Sequence, residues 1–234
     1  MTELNTTRGI LKSFIPRPAR RALRQAWTNR QFQRALRRMV ELPAQQAPTP
    51  ELLTELRRTW DNNDFSGKVD YLLEVARWAM ITPGPVLECG SGLSTILLAL
   101  LAGRRGVEVW SLEHLPEWHA RVASVLESLR VPTVHLDLMP LRSYGDFDWY
   151  DPPLARVPPE FRLVICDGPP GTTRGGRYGL LPIMGARLPK GSLVFFDDAT
   201  RPEEQAAIER WAGEAGWSAT LRAGLACPFA VIDV

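Results

Sequence analysis

The sequence predicts an α/β fold with a doubly wound, mostly parallel sheet. Two observations support this fold class. Short apolar segments alternate with helix-like segments over residues 85–234, and the run VLECGSG at residues 86–92 leads from an apolar strand through two glycines into an apolar helix. Strands that alternate with helices form parallel sheets, which bind ligands at the carboxyl ends of their strands. Side chains that follow the strands are therefore the candidate functional residues.

Each predicted element follows from its apolar pattern and its flanking turn residues. Strands are expected at residues 86–88, 108–112, 133–138, 162–166, 192–196, 217–221 and 229–234. Helices are expected at residues 51–60, 69–80, 96–102, 116–129, 178–188 and 203–215. Thr200 and Glu203 have the spacing of a capping box at the start of the last helix, with Pro202 in its first turn.

Composition is that of one main globular domain, with 234 residues, 45% hydrophobic and 23% charged. No apolar run reaches the ~18 residues of a membrane span, and residues 1–8 lack the pattern of a secretory signal. We therefore expect a cytoplasmic protein. Cys89, Cys166 and Cys227 are not in metal-binding spacing, so we expect reduced thiols, without zinc or a disulfide.

Positive charge is concentrated at the start of the chain. Residues 1–60 contain 12 basic and 4 acidic residues, whereas residues 61–234 contain 16 basic and 22 acidic residues. Apolar residues recur at mostly helical spacing among the arginines of residues 8–41, which predicts a basic amphipathic helical arm. We therefore divide the chain into the arm with a proline-rich linker, residues 1–50, and a main domain, residues 51–234.

Two uses of residues 8–41 follow from this pattern, and a third, nucleic-acid binding, is not expected. The apolar stripe could pack on the main domain or form a homodimer, which is the use we favour. A basic amphipathic helix can also make a peripheral contact with an anionic membrane. No segment resembles a module that reads RNA or DNA, so we expect no nucleic-acid partner.

The glycine turn at residues 90–92 suits a nucleotide-like ligand, because glycines allow close approach and the helix start offers unpaired N–H groups. A dinucleotide fingerprint needs a third glycine where Thr95 stands, and Glu88 puts a negative charge where a pyrophosphate would bind. A cationic ligand fits better. Glu113 ends the next strand, where a carboxylate can accept hydrogen bonds from both ribose hydroxyls.

These residues make the sequence resemble the class I S-adenosylmethionine (SAM)-dependent methyltransferases, whose first motif reads h-h-E/D-x-G-x-G-x-S/T. The resemblance covers residues 85–234 and implies a seven-stranded sheet with an antiparallel final hairpin. It also implies SAM as the cofactor and a small-molecule acceptor, methylated at a hydroxyl oxygen. The implied SAM-binding residues are Glu88, Gly90, Ser91, Gly92, Ser94, Glu113, His114, Leu138 and Asp167, with Ser66, Tyr71 and Asp137 as weaker candidates.

Asp167 ends the fourth predicted strand and precedes a glycine-rich loop. This position places Asp167 beside the reactive methyl group as the candidate catalytic residue, although Asp before Gly also forms simple turns. Arg174, Arg177 and Tyr178 in the loop are candidate substrate-binding residues for an anionic or hydroxylated acceptor. The aromatic residues of the loop 144–150, Trp149 and Tyr150 among them, either line the pocket or form a satellite core.

Asp197 and Asp198 end the fifth predicted strand, which is a neighbour of the fourth in a doubly wound sheet. Asp167 and this pair should therefore converge, and three carboxylates repel one another unless a cation joins them. The pattern resembles the metal-dependent O-methyltransferases of the macrocin type, which implies Mg²⁺ bound by Asp167, Asp197 and Asp198. A metal-free site, with Asp198 capping a turn, stays open.

Two other functions remain compatible with the sequence. One is a related SAM-fold transferase that acts on nitrogen, a glycan or a lipid head group. The other is a non-catalytic SAM-binding module tethered by its basic arm. Intact carboxylates at Glu88, Glu113 and Asp167 argue against a degenerate module, and the sequence does not identify the acceptor.

Overall fold

A computed structural model describes residues 16–60, 67–222 and 228–234. The helices are α1 Arg17–Glu41, α2 Pro50–Thr59, α3 Val69–Ile81, α4 Leu93–Leu101, α5 Pro116–Leu129, α6 Leu180–Met184 and α7 Pro202–Ala215. The strands are β1 Val86–Cys89, β2 Val109–Glu113, β3 Val134–Leu138, β4 Leu141–Ser143, β5 Asp148–Tyr150, β6 Leu163–Cys166, β7 Leu193–Phe196, β8 Ser218–Arg222 and β9 Phe229–Asp233. Within these described ranges, no helix combines the length and apolar character that a membrane crossing requires.

Seven strands form one sheet in the order β3-β2-β1-β6-β7-β9-β8. The first five of these are parallel, and β9 pairs antiparallel with both β7 and β8. The doubly wound, mostly parallel seven-stranded sheet expected from the sequence is therefore confirmed. Strand order reverses between β1 and β6, so the crevice beyond their carboxyl ends is the place where such sheets bind ligands.

Alternate residues of the central strands enter two separate hydrophobic cores, as the two-residue period of a strand requires. Val86 and Ile165 join the core that contains α2, α3 and α4, whereas Leu87 and Cys166 join the core under α7. Both faces of the sheet are thus covered, which fixes the strands firmly and leaves their carboxyl ends as the open edge.

The long helix α1 has two unlike halves. Phe32, Ala35, Leu36 and Met39 in its second half are buried in the core of α2 to α4. Most residues of the first half are exposed to solvent. Helix α2 follows with Thr49 as its N-cap, whose Oγ1 accepts a hydrogen bond from the backbone N–H of Leu52.

Three local predictions are corrected by the structure. The helix expected at residues 178–188 is only α6 plus a 3₁₀ turn, Gly185–Arg187. The loop 144–150 contributes β5 to a small hairpin with β4. The capping box of Thr200 and Glu203 does not form, because Pro202 takes the first helical position and Arg201 becomes the N-cap, without a side-chain cap hydrogen bond.

Candidate functional site

A cavity of about 730 Å³ opens at the carboxyl ends of β1, β2 and β6. This volume lies in the usual range of small-molecule sites. The cavity is lined by Gly90, Ser91, Glu113, His114, Leu115, Pro116, Glu117, Trp118, Arg121, Tyr150, Asp167, Gly168 and Pro170. It therefore contains the end of each strand that borders the reversal in strand order.

Two glycines let the loops after β1 and β6 touch. Gly90 has a φ of +90°, and a Cβ atom there would lie 2.9 Å from the backbone nitrogen of Gly168. A Cβ atom on Gly168 would lie 2.5 Å from the Tyr150 hydroxyl. Side chains at these two positions would separate the loops, so both glycines are needed for the shape of the cavity floor.

The backbone N–H groups of the glycine turn already have partners. The N–H of Ser91 donates to Glu113 Oε2 at 3.1 Å, and the N–H of Gly92 donates to Thr95 Oγ1 at 2.8 Å. Pyrophosphate sites at such turns depend on free N–H donors. Occupied donors beside a carboxylate disfavour a dinucleotide and favour a ligand without phosphate.

Glu113 connects the glycine turn to the start of α5. Its Oε2 also accepts from Ser91 Oγ at 2.8 Å, while its Oε1 accepts from the N–H groups of His114 and Leu115, both at 2.8 Å. Burial acts to raise the pKa of Glu113, but hydrogen bonds from His114, Leu115 and Ser91 outweigh burial and bring the pKa below its ordinary value. An ionised carboxylate therefore lines the cavity.

Glu88 lies outside the cavity lining that the described residues form, contrary to the expectation that its charge points into the pocket. Its Oε2 accepts from Thr95 Oγ1 and Ser111 Oγ, both at 2.6 Å. Burial raises the pKa of Glu88 to about 7, against the opposing effect of the hydrogen bonds from Ser111, Ser94 and Thr95. Glu88 thus supports the glycine turn and β2 from within the protein.

Three other predicted SAM-binding residues also lie outside the lining formed by the described residues. Gly92 is the N-cap of α4, and Ser94 is buried in the first turn of this helix. Leu138 is 40% exposed at the end of β3. Of the weaker candidates, Tyr71 is buried and donates its hydroxyl to the Phe195 carbonyl at 3.3 Å, and Ser66 lies outside the described residues.

Asp167 lines the cavity at the end of β6, and Arg177 lies behind it. The Arg177 guanidinium is 3.3 Å from Asp167 Oδ1, 3.6 Å from Asp198 Oδ2 and 3.5 Å from Glu204 Oε1. It also donates to the carbonyls of Asp197 at 2.6 Å and Asp167 at 2.9 Å. Arg177 is 1% exposed and is not part of the cavity lining that the described residues form, although the sequence predicts it as a substrate-binding residue. It fastens the loop after β6 to the ends of β6 and β7.

Asp167, Asp197 and Asp198 converge as expected, with one carboxylate oxygen of each within 4.8 Å of the others. Burial and then Asp197 raise the pKa of Asp167 well above its ordinary value, while Arg177 acts to lower it. Burial and then Asp198 raise the pKa of Asp197 to about 6. Asp197 Oδ1 is buried without a hydrogen-bond partner in the described part of the chain. Such a cluster can hold a divalent cation.

Arg174 and Tyr178, which the sequence predicts as substrate-binding residues, are also not part of the cavity lining that the described residues form. Arg174 is tied to the hairpin, where it donates to Ser143 Oγ at 2.6 Å and pairs with Asp148. Tyr178 donates its hydroxyl to Glu214 Oε2 at 2.6 Å on α7.

The first turns of α5 supply cavity residues that the sequence interpretation missed. Trp118 and Arg121 line the rim, and the Trp118 indole N–H donates to the Ser91 carbonyl. The Arg121 guanidinium lies 4.4 Å from the centre of the Trp60 ring. Their i,i+3 spacing directly after Glu113 was the available signal, since it puts both on one helix face.

No protein-family model and no curated protein matches the sequence. Among solved structures, a putative caffeoyl-CoA O-methyltransferase from Staphylococcus aureus is 13% identical, with a TM-score of 0.58 over 85% of this chain and 99% of that one. A precorrin-6y C5,15-methyltransferase from Geobacter metallireducens GS-15 is 13% identical, with a TM-score of 0.51 over 74% of this chain and 94% of that one. The delta-N METTL16 MTase domain is also 13% identical, with a TM-score of 0.51 over 79% of this chain and 96% of that one. The chain therefore has the class I methyltransferase fold.

Proposed function

We propose that this protein transfers a methyl group from SAM to the hydroxyl oxygen of a small molecule. The observation that supports this proposal is a single cavity that contains both Glu113 and Asp167, in a fold shared with methyltransferases. The cavity is acidic, and the N–H donors of its glycine turn are occupied. A nucleoside with a sulfonium and an ammonium group, and without phosphate, matches that chemistry.

Each cavity residue has a role in this proposal. Glu113 accepts a hydrogen bond from a ribose hydroxyl at Oε2, in place of the one that the Ser91 hydroxyl donates there without ligand. In the metal-free form of the site, Asp167 holds the acceptor hydroxyl and receives its proton. The cavity aligns the two reactants, which supplies much of the rate enhancement. Bound SAM would supply the methyl group, whose bond to sulfur breaks as its bond to the acceptor oxygen forms.

A divalent cation such as Mg²⁺ fits the carboxylate cluster as a further part of the proposal. Asp167, Asp197 and Asp198 offer the oxygen ligands that Mg²⁺ prefers, and Asp197 Oδ1 is buried without a partner among the described residues. Arg177 and Arg201 compensate part of the charge, because they pair with Asp167 and Asp198. A bound cation would lower the pKa of the acceptor hydroxyl.

Metal binding is tested without turnover by thermal unfolding in EDTA and in Mg²⁺. We expect Mg²⁺ to raise the melting temperature of the natural protein, and Asp197→Ala to abolish the rise. SAM affinity should be equal in both buffers, because SAM itself does not need the ion. An unchanged melting temperature would leave Asp167 as a metal-free orienting residue.

The proposed function is tested by calorimetric titration of the purified protein with SAM and, separately, with NAD. We expect SAM to bind and NAD not to bind. Binding of NAD alone would overturn the proposal, because it would assign the cavity to a dinucleotide despite the occupied N–H groups.

The class of methyl acceptor needs a separate screen, because the fold alone does not identify it. Labelled SAM would be incubated with the protein and pools of phenols, sugars, amines, lipids and RNA. Methylation of hydroxylated small molecules is the expected result. Transfer to amines, glycans or lipids would support a related transferase, and SAM binding with no transfer to any pool would support a non-catalytic module.

A further inference from the structure

The apolar face of helix α1 lies on different sides of the helix in its first and second halves. Four arginines form one stripe at i, i+3, i+4 and i+7 spacing in the first half: Arg17, Arg20, Arg21 and Arg24. The other side of the same segment is apolar and consists of Ala19, Ala22, Leu23, Ala26 and Trp27. In the second half, the buried residues Phe32, Ala35, Leu36 and Met39 form the apolar stripe.

The two apolar stripes point in opposite directions. Residues separated by 11 positions, about three helical turns, lie on the same face of a helix. Arg21 is on the face of Phe32, which packs into the core, so the arginine stripe continues the core-facing side. Leu23 is on the face of Arg34, which is exposed, so the apolar stripe of the first half faces away from the domain.

Solvent exposure agrees with this geometry. Leu23 is 61% exposed and Trp27 is 55% exposed, four residues apart on one face. The arginine stripe lines a depression of about 290 Å³, and its side chains make no hydrogen bond or ion pair with the described residues. Two large apolar side chains and several guanidinium groups are therefore presented together, on a helix whose buried residues, within the described part of the chain, all lie in its second half.

We propose that the first half of α1, residues 17–30, docks on an anionic lipid bilayer. Leu23 and Trp27 enter the boundary between head groups and acyl chains, as apolar stripes of interfacial helices do. Arg20 and Arg30 flank the stripe and contact lipid phosphates, and the outward direction of the stripe places the domain on the opposite side of the helix. The long arginine side chains can reach the head groups while the helix lies flat.

Charge and exposed apolar area argue against a second copy of the chain, or RNA, as the partner of residues 17–30. Helix α1 contains eight arginines and one acidic residue, Glu41, so a second copy of the helix would bring like charges together. Its exposed apolar area, mainly two side chains, is small for a stable dimer. RNA would satisfy the arginines but leave Leu23 and Trp27 in water. An anionic bilayer takes up Leu23 and Trp27 and offers phosphates to Arg20 and Arg30 beside them.

Flotation of the full-length protein with vesicles tests the proposal. We expect binding to vesicles of phosphatidylglycerol and phosphatidylcholine, weak binding to phosphatidylcholine alone, and loss of binding at high salt. The double variant Leu23→Ala, Trp27→Ala should lower the affinity about 10- to 100-fold. Arg20→Gln and Arg30→Gln should each lower it about fivefold.

Leu154→Ala is the matched control, because Leu154 is an exposed leucine outside the arm, at 42% exposure. It should bind vesicles as the natural protein does, and circular dichroism should show equal folding of all variants. Absence of binding to anionic vesicles would overturn the proposal. So would a dimer that Leu23→Ala and Trp27→Ala dissociate, or vesicle binding that single-stranded RNA displaces and that the apolar changes leave unaltered.

Discussion

Glu113 is the side chain on which SAM binding should depend most, because it is ionised, lines the cavity and holds the glycine turn. We expect Glu113→Ala to weaken SAM binding by about 1.5 to 3 kcal/mol, the usual effect of losing charge-assisted hydrogen bonds. Calorimetric titration measures this change. Glu117→Ala is the matched control, since Glu117 is an exposed carboxylate at the same cavity and should change affinity little.

An unchanged SAM affinity in folded Glu113→Ala would refute the assignment of Glu113 to the ribose. Equal losses in both variants would indicate a general effect of negative charge at the cavity. Melting temperatures should accompany the titrations, because Ser91 and the start of α5 also lose a hydrogen-bond acceptor in this variant.

Glu88 should make stability depend on pH. Burial raises its pKa from the ordinary 4.5 to about 7 in the folded state. Between these values the unfolded chain loses the proton while the folded chain keeps it, so stability falls as pH rises from about 4.5 to 7 and is level above. The fall amounts to roughly 3 kcal/mol.

Urea unfolding at pH 5 and pH 8 measures this effect as a difference between the natural protein and Glu88→Gln. The variant cannot ionise at this position, so it should lose less stability between the two pH values. Comparison of the two proteins removes the contribution of other titrating groups, such as Asp197. An identical pH dependence would show that Glu88 is ionised in the folded state at pH 5.

Local sequence could predict which carboxylates lie at strand ends, but not which neighbours face them. Asp167, Asp197 and Asp198 follow buried strands, and their convergence is a property of strand order alone. Arg177 and Tyr178 lie in a loop, where backbone turns decide direction. Glycine at positions 175 and 176, both with positive φ, turns the chain so that Arg177 points inward and Tyr178 toward α7.

The loop between β6 and α6 depends on Arg177 for its structure. We expect Arg177→Met to reduce the free energy of unfolding by about 3 to 5 kcal/mol, because it leaves buried carboxylates and carbonyls without their partner. Arg174→Met is the matched control in the same loop. Its ion pair with Asp148 is exposed, so the change should be below about 1 kcal/mol.

Urea unfolding of both variants separates this role from substrate binding. If Arg177 bound the methyl acceptor, Arg177→Met would keep the stability of the natural protein and raise the KM for the acceptor. Equal stability of the Arg177 and Arg174 variants would therefore contradict the structural role of Arg177.

Short elements were the least predictable part of the fold. Strands β4 and β5 have three residues each, too few to show an alternating pattern. Trp149 packs directly against Gly179, so the aromatic loop is fixed by a contact 30 residues away rather than by its own sequence. The parallel strands were predictable because each has four or five residues in an apolar or alternating pattern.

At the scale of the whole molecule, the alternation of strands and helices determined the sheet, whereas the arm could not be placed from sequence. Its arginines occur in both halves of α1, and periodicity does not say which face meets the domain. The structure puts Phe32, Leu36 and Met39 in the same core as α3 and α4. We still propose residues 51–234 as the methyltransferase domain, with the second half of α1 as part of its packing.

This packing predicts that leucine-to-alanine changes at two positions of α1 affect the free energy of unfolding very differently. Leu36 is 3% exposed in the core, so Leu36→Ala should lower the free energy of unfolding by about 2 to 5 kcal/mol through lost burial and a residual cavity. Leu23 is 61% exposed, so Leu23→Ala should change it by no more than about 0.5 kcal/mol. Both variants place the same residue in the same helix, so helix propensity cancels in the comparison. Urea unfolding without lipid measures both values.

A stable Leu36→Ala variant would mean that the second half of α1 does not pack on the domain in solution. A destabilised Leu23→Ala variant would mean that protein, rather than lipid, covers the outward stripe.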